Sequence, residues 1–316
     1  MKHLLLIAIL LSSGAYSCFA EKPGTDPGQA DAPAVLWRVE AEGGSVLLAG
    51  SVHLLRPADL PVSPAYGEAF EEADEVVFEI DVAETKKEET SRRIRDLGSL
   101  PSGETLADHL GAGTLSLLRE YLEELGRPHD SFDGLKPGMV LFSIGTIEAM
   151  RMGARPNLGL EEQIYEWCLA HDKPTRGLET IEYQLTLFDS LPAAEVDAML
   201  VEALGDVGEK SHAALDQMIE SWKTGDVDRL TELIDEQMPP GSTERTLLLT
   251  RRNANWIPEI EAALESGKVT LFLMGAAHLV GDDSVIRLLR ERGWNPERVK
   301  RPDAARTEGE PAVPVP

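Results

Sequence analysis

Two apolar runs that each end in glycine and histidine are the most regular feature of the hydrophobic pattern. Residues 47–53 read LLAGSVH, and residues 271–278 read LFLMGAAH. A short apolar run bounded by polar residues predicts a strand covered on both faces, and glycine permits a close backbone approach where the strand ends. Each histidine is then expected at the carboxyl end of a strand, where open α/β sheets bind ligands. The two runs predict one site assembled from both ends of the chain.

The pattern around and after the first run indicates a hairpin and then a crossover. Residues 36–39 and 45–53 read as strands joined at Gly43-Gly44, a pair suited to a tight turn. Ser63-Pro64 is typical of a helix start, with an N-cap followed by proline. Residues 76–81 form another apolar run. Strand, helix and strand in this order predict two parallel strands joined by a crossover.

The remainder of the chain is mainly helical in pattern, with two further strands. Helical periodicity is predicted over 82–134, 137–152, 160–171, 192–240 and 242–264, a short strand over 174–178, and a last strand leading to His278. We therefore expect an α/β domain over residues 35–302, with a mixed, mostly parallel central sheet flanked by helices and a helical insertion.

The chain ends have different compositions from the domain. Residues 1–20 combine Lys2, an apolar run over 4–11 and a small residue at Ala20, which indicates a secretory signal peptide. Residues 21–34 are expected to be a flexible leader, and residues 303–316 a disordered tail. We expect a periplasmic or secreted protein with no transmembrane span. Residues 15–18 resemble a lipoprotein box, which leaves a lipid anchor on Cys18 as an alternative.

The charge of the chain limits its expected partners, and its cysteine content limits its expected disulfides. The chain has 30 basic and 55 acidic residues and a net charge of −25, so nucleic acid and anionic membrane surfaces are not expected as partners. Cleavage after Ala20 would leave Cys168 as the single cysteine. The exported fold is therefore expected to need no internal disulfide.

Several charged residues lie where an unpaired charge is costly. Glu79 lies between apolar strand residues, so it requires a metal ion, an arginine or a shifted pKa. Glu179 ends a short strand and is a candidate for the same site. Glu161 follows Gly159 at a helix start, where the helix dipole alone would explain an acidic residue. Arg252 belongs to an unusually polar run on an apolar-periodic helix.

Taken together, the motifs resemble those of the TraB/GumN family, whose wider relatives include the animal Tiki proteins and, more distantly, erythromycin esterase-like and ChaN-like proteins. The matching segments are Gly50-Ser51-Val52-His53, Glu79 in a Val-Phe-Glu-Ile-Asp strand, Gly159-Leu160-Glu161, Gly177-Leu178-Glu179-Thr180, Arg252-Asn253 and Gly275-Ala276-Ala277-His278. Two positions depart conservatively from the family pattern: Glu161 stands where aspartate is frequent, and Ser51 where threonine is common.

The resemblance implies a chemistry for these residues. Tiki proteins are regarded as divalent-metal-dependent proteases that use paired Gly-x-x-His motifs. By this similarity His53, Glu79 and His278 would bind a divalent ion (manganese, cobalt or zinc), in line with the ligand preferences of such ions. Glu179 or Glu161 would relay a proton. Arg252 and Asn253 would hold the substrate or the developing oxyanion. The function expected is a metal-dependent hydrolase of the bacterial cell envelope, most simply a peptidase, acting on a peptide or small-molecule substrate.

Two alternatives of other classes stay open at this point. A non-catalytic envelope protein that binds haem, iron or another ligand would also use paired histidines, although an aromatic content of 5% argues mildly against haem. A metal-free, esterase-like hydrolase would use His53 as a general base.

Overall fold

A single sheet organises the part of the chain that the computed structural model describes, which is residues 34–205 and 209–299. Its strands are β1 (Leu36–Ala41), β2 (Gly44–Ser51), β3 (Glu75–Ile80), β4 (Thr175–Glu179), β5 (Val269–Gly275) and β6 (Glu297–Arg298). They lie in the order β4-β3-β5-β2-β1-β6. Neighbours from β4 to β2 are parallel, and β1 is antiparallel to both β2 and β6. The predicted mixed, mostly parallel α/β sheet is confirmed.

Strand β5 lies between the two strands that the crossover connects. The hairpin of β1 and β2 is present, and β2 and β3 run parallel, but each pairs with β5 rather than with the other. Leu47 pairs with Leu271, and Val76 pairs with the same residue from the other side. All of β5 after Val269 is buried, as expected for an apolar strand in the centre of a sheet. Strand β5, which follows β2 and β3 by about two hundred residues, therefore joins the two halves of the sheet.

Helices cover the sheet and form the predicted insertion. They are α1 (Pro64–Glu72), α2 (Val82–Thr85), α3 (Glu88–Gly98), α4 (Ala112–Glu124), α5 (Pro137–Arg151), α6 (Leu160–Ala170), α7 (Ile181–Leu187), α8 (Ala193–Gly205), α9 (Glu209–Thr224), α10 (Val227–Gln237), α11 (Thr243–Arg245), α12 (Arg251–Leu264) and α13 (Val285–Glu291). Helix α1 begins as predicted, because the side chain of Ser63 accepts from the amide of Ala65. None of the described helices has the length and apolar character to cross a membrane.

The predicted signal peptide and tail lie outside the described residues, as does the leader up to residue 33. Ala34, assigned to the leader, is buried, and its carbonyl accepts from Nε of Arg298 on β6 at 2.9 Å. The packed domain therefore includes this residue.

A π-helical turn interrupts the helix predicted over 242–264. Residues Thr246–Thr250 form this turn between α11 and α12. A π turn adds a residue to the helical repeat and is frequent at functional sites, because it rotates the residues that follow. Here the next residues are Arg251, Arg252 and Asn253, of which Arg252 and Asn253 are buried.

A close backbone approach fixes the start of α6 against the end of β2. The amide of Leu160 donates to the carbonyl of Val52 at 3.1 Å, and Arg155 donates to Leu55 at 2.8 Å. A Cβ atom at Gly159 would lie 2.2 Å from the carbonyl oxygen of His53. Only glycine leaves room for this contact, which places the first turn of α6 beside His53.

Gly159→Ala should therefore destabilise the fold by about 1–3 kcal/mol, since the clash is with backbone that must shift. Gly113→Ala is the matched control, because a Cβ at Gly113 in α4 meets nothing within 4 Å. Alanine inside a helix is expected to be neutral or stabilising by up to about 1 kcal/mol. Urea unfolding of both variants measures the difference. Equal stability of the two variants would contradict this account of Gly159.

Candidate functional site

The carboxyl ends of β2, β3, β4 and β5 meet at one edge of the sheet, and the candidate residues cluster there. Their side chains become more buried toward β5. His278 and Arg252 are fully buried at 0% exposure, His53 is 5% and Glu79 6% exposed, and the Glu161 side chain is 13% exposed. The cluster therefore has an interior centred on Arg252 and a more accessible side at Glu161.

His53 and Glu161 form a pair on the accessible side. Nδ1 of His53 lies 2.6 Å from Oε1 of Glu161, and Oγ of Ser51 donates to the same oxygen. Burial would lower the pKa of His53, but attraction and a hydrogen bond from Glu161 outweigh it and raise that pKa. Nε2 of His53 and Oε2 of Glu161 are buried without a hydrogen-bond partner among the described residues. One imidazole nitrogen of His53, Nε2, therefore makes no hydrogen bond to the described residues.

The carboxylate of Glu79 on β3 accepts from strand β5 and from helix α12. Its Oε1 accepts from the amide of Gly275 on β5 at 2.6 Å, and its Oε2 accepts from Nη2 of Arg252 at 2.5 Å. Burial would raise the pKa of Glu79, but electrostatic interactions, first with Arg252 and then with His278 and His53, lower it to about 2. The buried carboxylate in the apolar strand is therefore ionised, with an arginine as its main partner.

Arg252 makes hydrogen bonds and ion pairs to buried groups inside the protein. Nη2 also contacts Glu179 at 2.9 Å, and Nε donates to the Glu179 carboxylate at 3.0 Å. Nη1 donates to the carbonyl of Leu248 at 3.0 Å and lies 3.2 Å from Nε2 of His278. A guanidinium carries five N–H donors, and four of them make hydrogen bonds, to Glu79, Glu179, Leu248 and His278. Arg252 acts here as the hub of the buried cluster.

His278 is held by Asn253 on its other nitrogen. Nδ1 of His278 lies 2.6 Å from Oδ1 of Asn253, whose Nδ2 donates to the carbonyl of Asp283 at 2.9 Å. An amide oxygen only accepts, so Nδ1 carries the proton and Nε2 is left to accept from Arg252. Burial is the largest cause that lowers the pKa of His278, to about 3. His278 is therefore a neutral imidazole with both nitrogens occupied.

Sequence reasoning missed two residues that complete the cluster. Nε2 of Gln184 on α7 donates to Glu179 at 3.0 Å and to Glu79 at 3.3 Å. Trp256 donates from Nε1 to Glu179 at 3.0 Å, and its ring lies 4.4 Å from that of His278. The position of Trp256 four residues after Arg252 places both on one helix face, so this spacing was a usable signal. Nothing in the sequence singled out Gln184.

The seven residues predicted for the site are brought together, but not as the ligand set that the resemblance implies. His53 lies within electrostatic reach of both Glu79 and His278, whose pKa values it lowers. Two of the three expected ligands, Glu79 and His278, are bonded to Arg252, so this donor set does not fit a metal ion in the present arrangement. Among the described residues, no group of three or more His, Cys, Asp or Glu side chains is arranged to hold a metal ion. The metal site therefore stays a prediction.

His278 should make the protein less stable as the pH falls below about 6.5. Unfolded chains bind a proton at this histidine near that pH, whereas the folded protein resists protonation down to about pH 3. The free energy of unfolding should fall by up to about 1.4 kcal/mol per pH unit through this histidine. Urea unfolding between about pH 6.5 and 4.5 should show a free energy of unfolding that depends less on pH in His278→Gln, because the variant lacks this imidazole. Some dependence remains, because other groups, including His53, titrate in both proteins. Parallel curves would mean that His278 is not held neutral.

Comparison with known proteins agrees with this arrangement of motifs. A sequence model of the TraB/PrgY/gumN family matches residues 35–298. The chain is also similar to the proteins named "Uncharacterized protein YbaP" of Escherichia coli K12 and of Shigella flexneri, each 22% identical over 260 residues that cover 77% of this chain and 87% of the relative. No solved structure matches. Because the family match covers most of the sequence, from the first strand to the last, the chain belongs to the TraB/PrgY/gumN family.

Proposed function

We propose that the protein is a hydrolase of the cell envelope in which His53, held by Glu161, activates water as a general base. One observation carries the proposal: Nε2 of His53 is buried and unpartnered among the described residues, while Nδ1 is bonded to a carboxylate. A histidine oriented by a carboxylate on one nitrogen and open on the other is the arrangement of a general base. The envelope location rests on the signal-like pattern at residues 4–11.

In the proposed reaction, Nε2 of His53 takes a proton from a water molecule as its oxygen attacks a substrate carbonyl. The imidazolium that forms is stabilised by Glu161, which also raises the pKa of His53. The imidazolium then returns the proton to the leaving group. The substrate class that the resemblance to Tiki proteins suggests is a peptide. Arg252 and Asn253 support this chemistry indirectly, since both are committed to internal partners.

A metal-dependent hydrolase is the second candidate, and one observation favours it. Nε2 of His53 and Oε2 of Glu161 are both buried acceptors without partners in the described part of the chain. These two groups would hold a divalent ion on the accessible side, and a bound ion would supply Lewis-acid activation of water. Catalytic zinc sites usually have three protein ligands, so this pair alone is an incomplete set.

His53→Gln and Glu161→Gln should each lower kcat by roughly 10²–10⁴-fold, the range expected for loss of general base catalysis, with circular dichroism unchanged. His129→Gln is the matched control, since the His129 side chain is 56% exposed. The assay is cleavage of a peptide library, and of ester substrates in parallel, by the mature protein. Full activity of His53→Gln would contradict the proposal.

The same assay separates the two candidates when it is repeated after dialysis against a chelator. Activity that persists without metal supports His53 as a metal-free base. Activity that is lost and then restored by manganese, cobalt or zinc supports the second candidate.

A further inference from the structure

The guanidinium of Arg252 lies where a cation would be expected in this site. It is fully buried, 2.5 Å from Glu79, 2.9 Å from Glu179 and 3.2 Å from Nε2 of His278. Two carboxylates and one imidazole are a common donor set for divalent transition metals. Here they converge on a side chain of the same protein, which carries a fixed positive charge.

The proton positions agree with this occupancy. Asn253 accepts from Nδ1 of His278, and its own amide nitrogen is fixed by the carbonyl of Asp283. The lone pair of Nε2 must then point at Nη1 of Arg252. A metal ion would need the same lone pair. His278 can therefore bind either the guanidinium or an ion, but not both.

The local charge balance also favours the buried position of the Arg252 guanidinium. Glu79 and Glu179 bring two negative charges into a buried space, and His278 there is neutral. Without Arg252 the two carboxylates would keep, among the described residues, only neutral donors: Gln184, Trp256 and the amide of Gly275. Like charges in a buried site are strongly unfavourable unless a cation compensates them.

We propose that Arg252 is the resident cation of this site, and that its removal creates a binding site for a divalent metal ion formed by Glu79, Glu179 and His278. The proposal is independent of the hydrolase function. It concerns which cation occupies the inner cluster, whereas the proposed chemistry takes place at His53.

The experiment compares wild type, Arg252→Met and Arg252→Lys by thermal unfolding and by metal content after gel filtration, with Mn²⁺ or Co²⁺ as the probe. Methionine has a side chain of similar length without the charge, and lysine keeps the charge. Arg252→Met should be destabilised and should retain about one ion per chain, with Tm rising by roughly 5 °C when the metal is at about 100 times its Kd. Arg252→Lys should show no such rise. The double variant Arg252→Met/His278→Gln should lose the metal-dependent rise in Tm.

Two results would overturn the proposal. The first is a folded Arg252→Met protein with no metal-dependent rise in Tm. The second comes from the wild type and does not require any Arg252 variant to fold: metal uptake that His278→Gln abolishes would show that an ion already occupies the inner cluster. Wild-type uptake that is absent, or that is lost in His53→Gln but not in His278→Gln, supports Arg252 as the resident cation.

Discussion

The pairing of Arg252 with two buried carboxylates is the interaction on which the arrangement of this site depends. Glu79 comes from β3, Glu179 from β4 and Arg252 from α12, and Glu79 also receives the amide of Gly275 on β5. One guanidinium thus joins three strand ends and a helix. A buried charge without its partner costs several kcal/mol, whereas the paired group is tolerated. The ends of these strands are consequently held together by charge as well as by the sheet.

Arg252 and its partners divide the candidate site into two parts with different surroundings. The inner part, with His278 and Asn253, is buried, and none of its buried side-chain polar atoms lacks a hydrogen-bond partner in the described part of the chain. The outer part, with His53 and Glu161, keeps one atom on each side chain that has no partner among the described residues. Satisfied buried networks are rigid, and open groups at their margin are those available for chemistry. The two Gly-x-x-His motifs therefore have different surroundings in this protein, although their sequences are similar.

The order of elements and the position of the site could be predicted from the sequence, because apolar runs, caps and strand-end motifs are local signals. The need of Glu79 for a partner was also predictable, with an arginine among the possible solutions. The identity of that partner was not, since Arg252 is 173 positions away and reaches Glu79 through a π turn that periodicity does not reveal. The pairing of His53 with Glu161 depends on the contact of Gly159 with the end of β2, which is equally non-local.

The central position of β5 also determines when this protein can fold. Strands β2 and β3 are separated until residues 269–275 are inserted between them. A chain emerging from a ribosome or crossing a membrane pore exposes two unpaired strand edges throughout this interval, and such edges invite aggregation. Parallel pairing over more than two hundred residues is intrinsically slow, because chain closure must precede any gain in contacts. In this topology both edges stay open until residues 269–275 have been made.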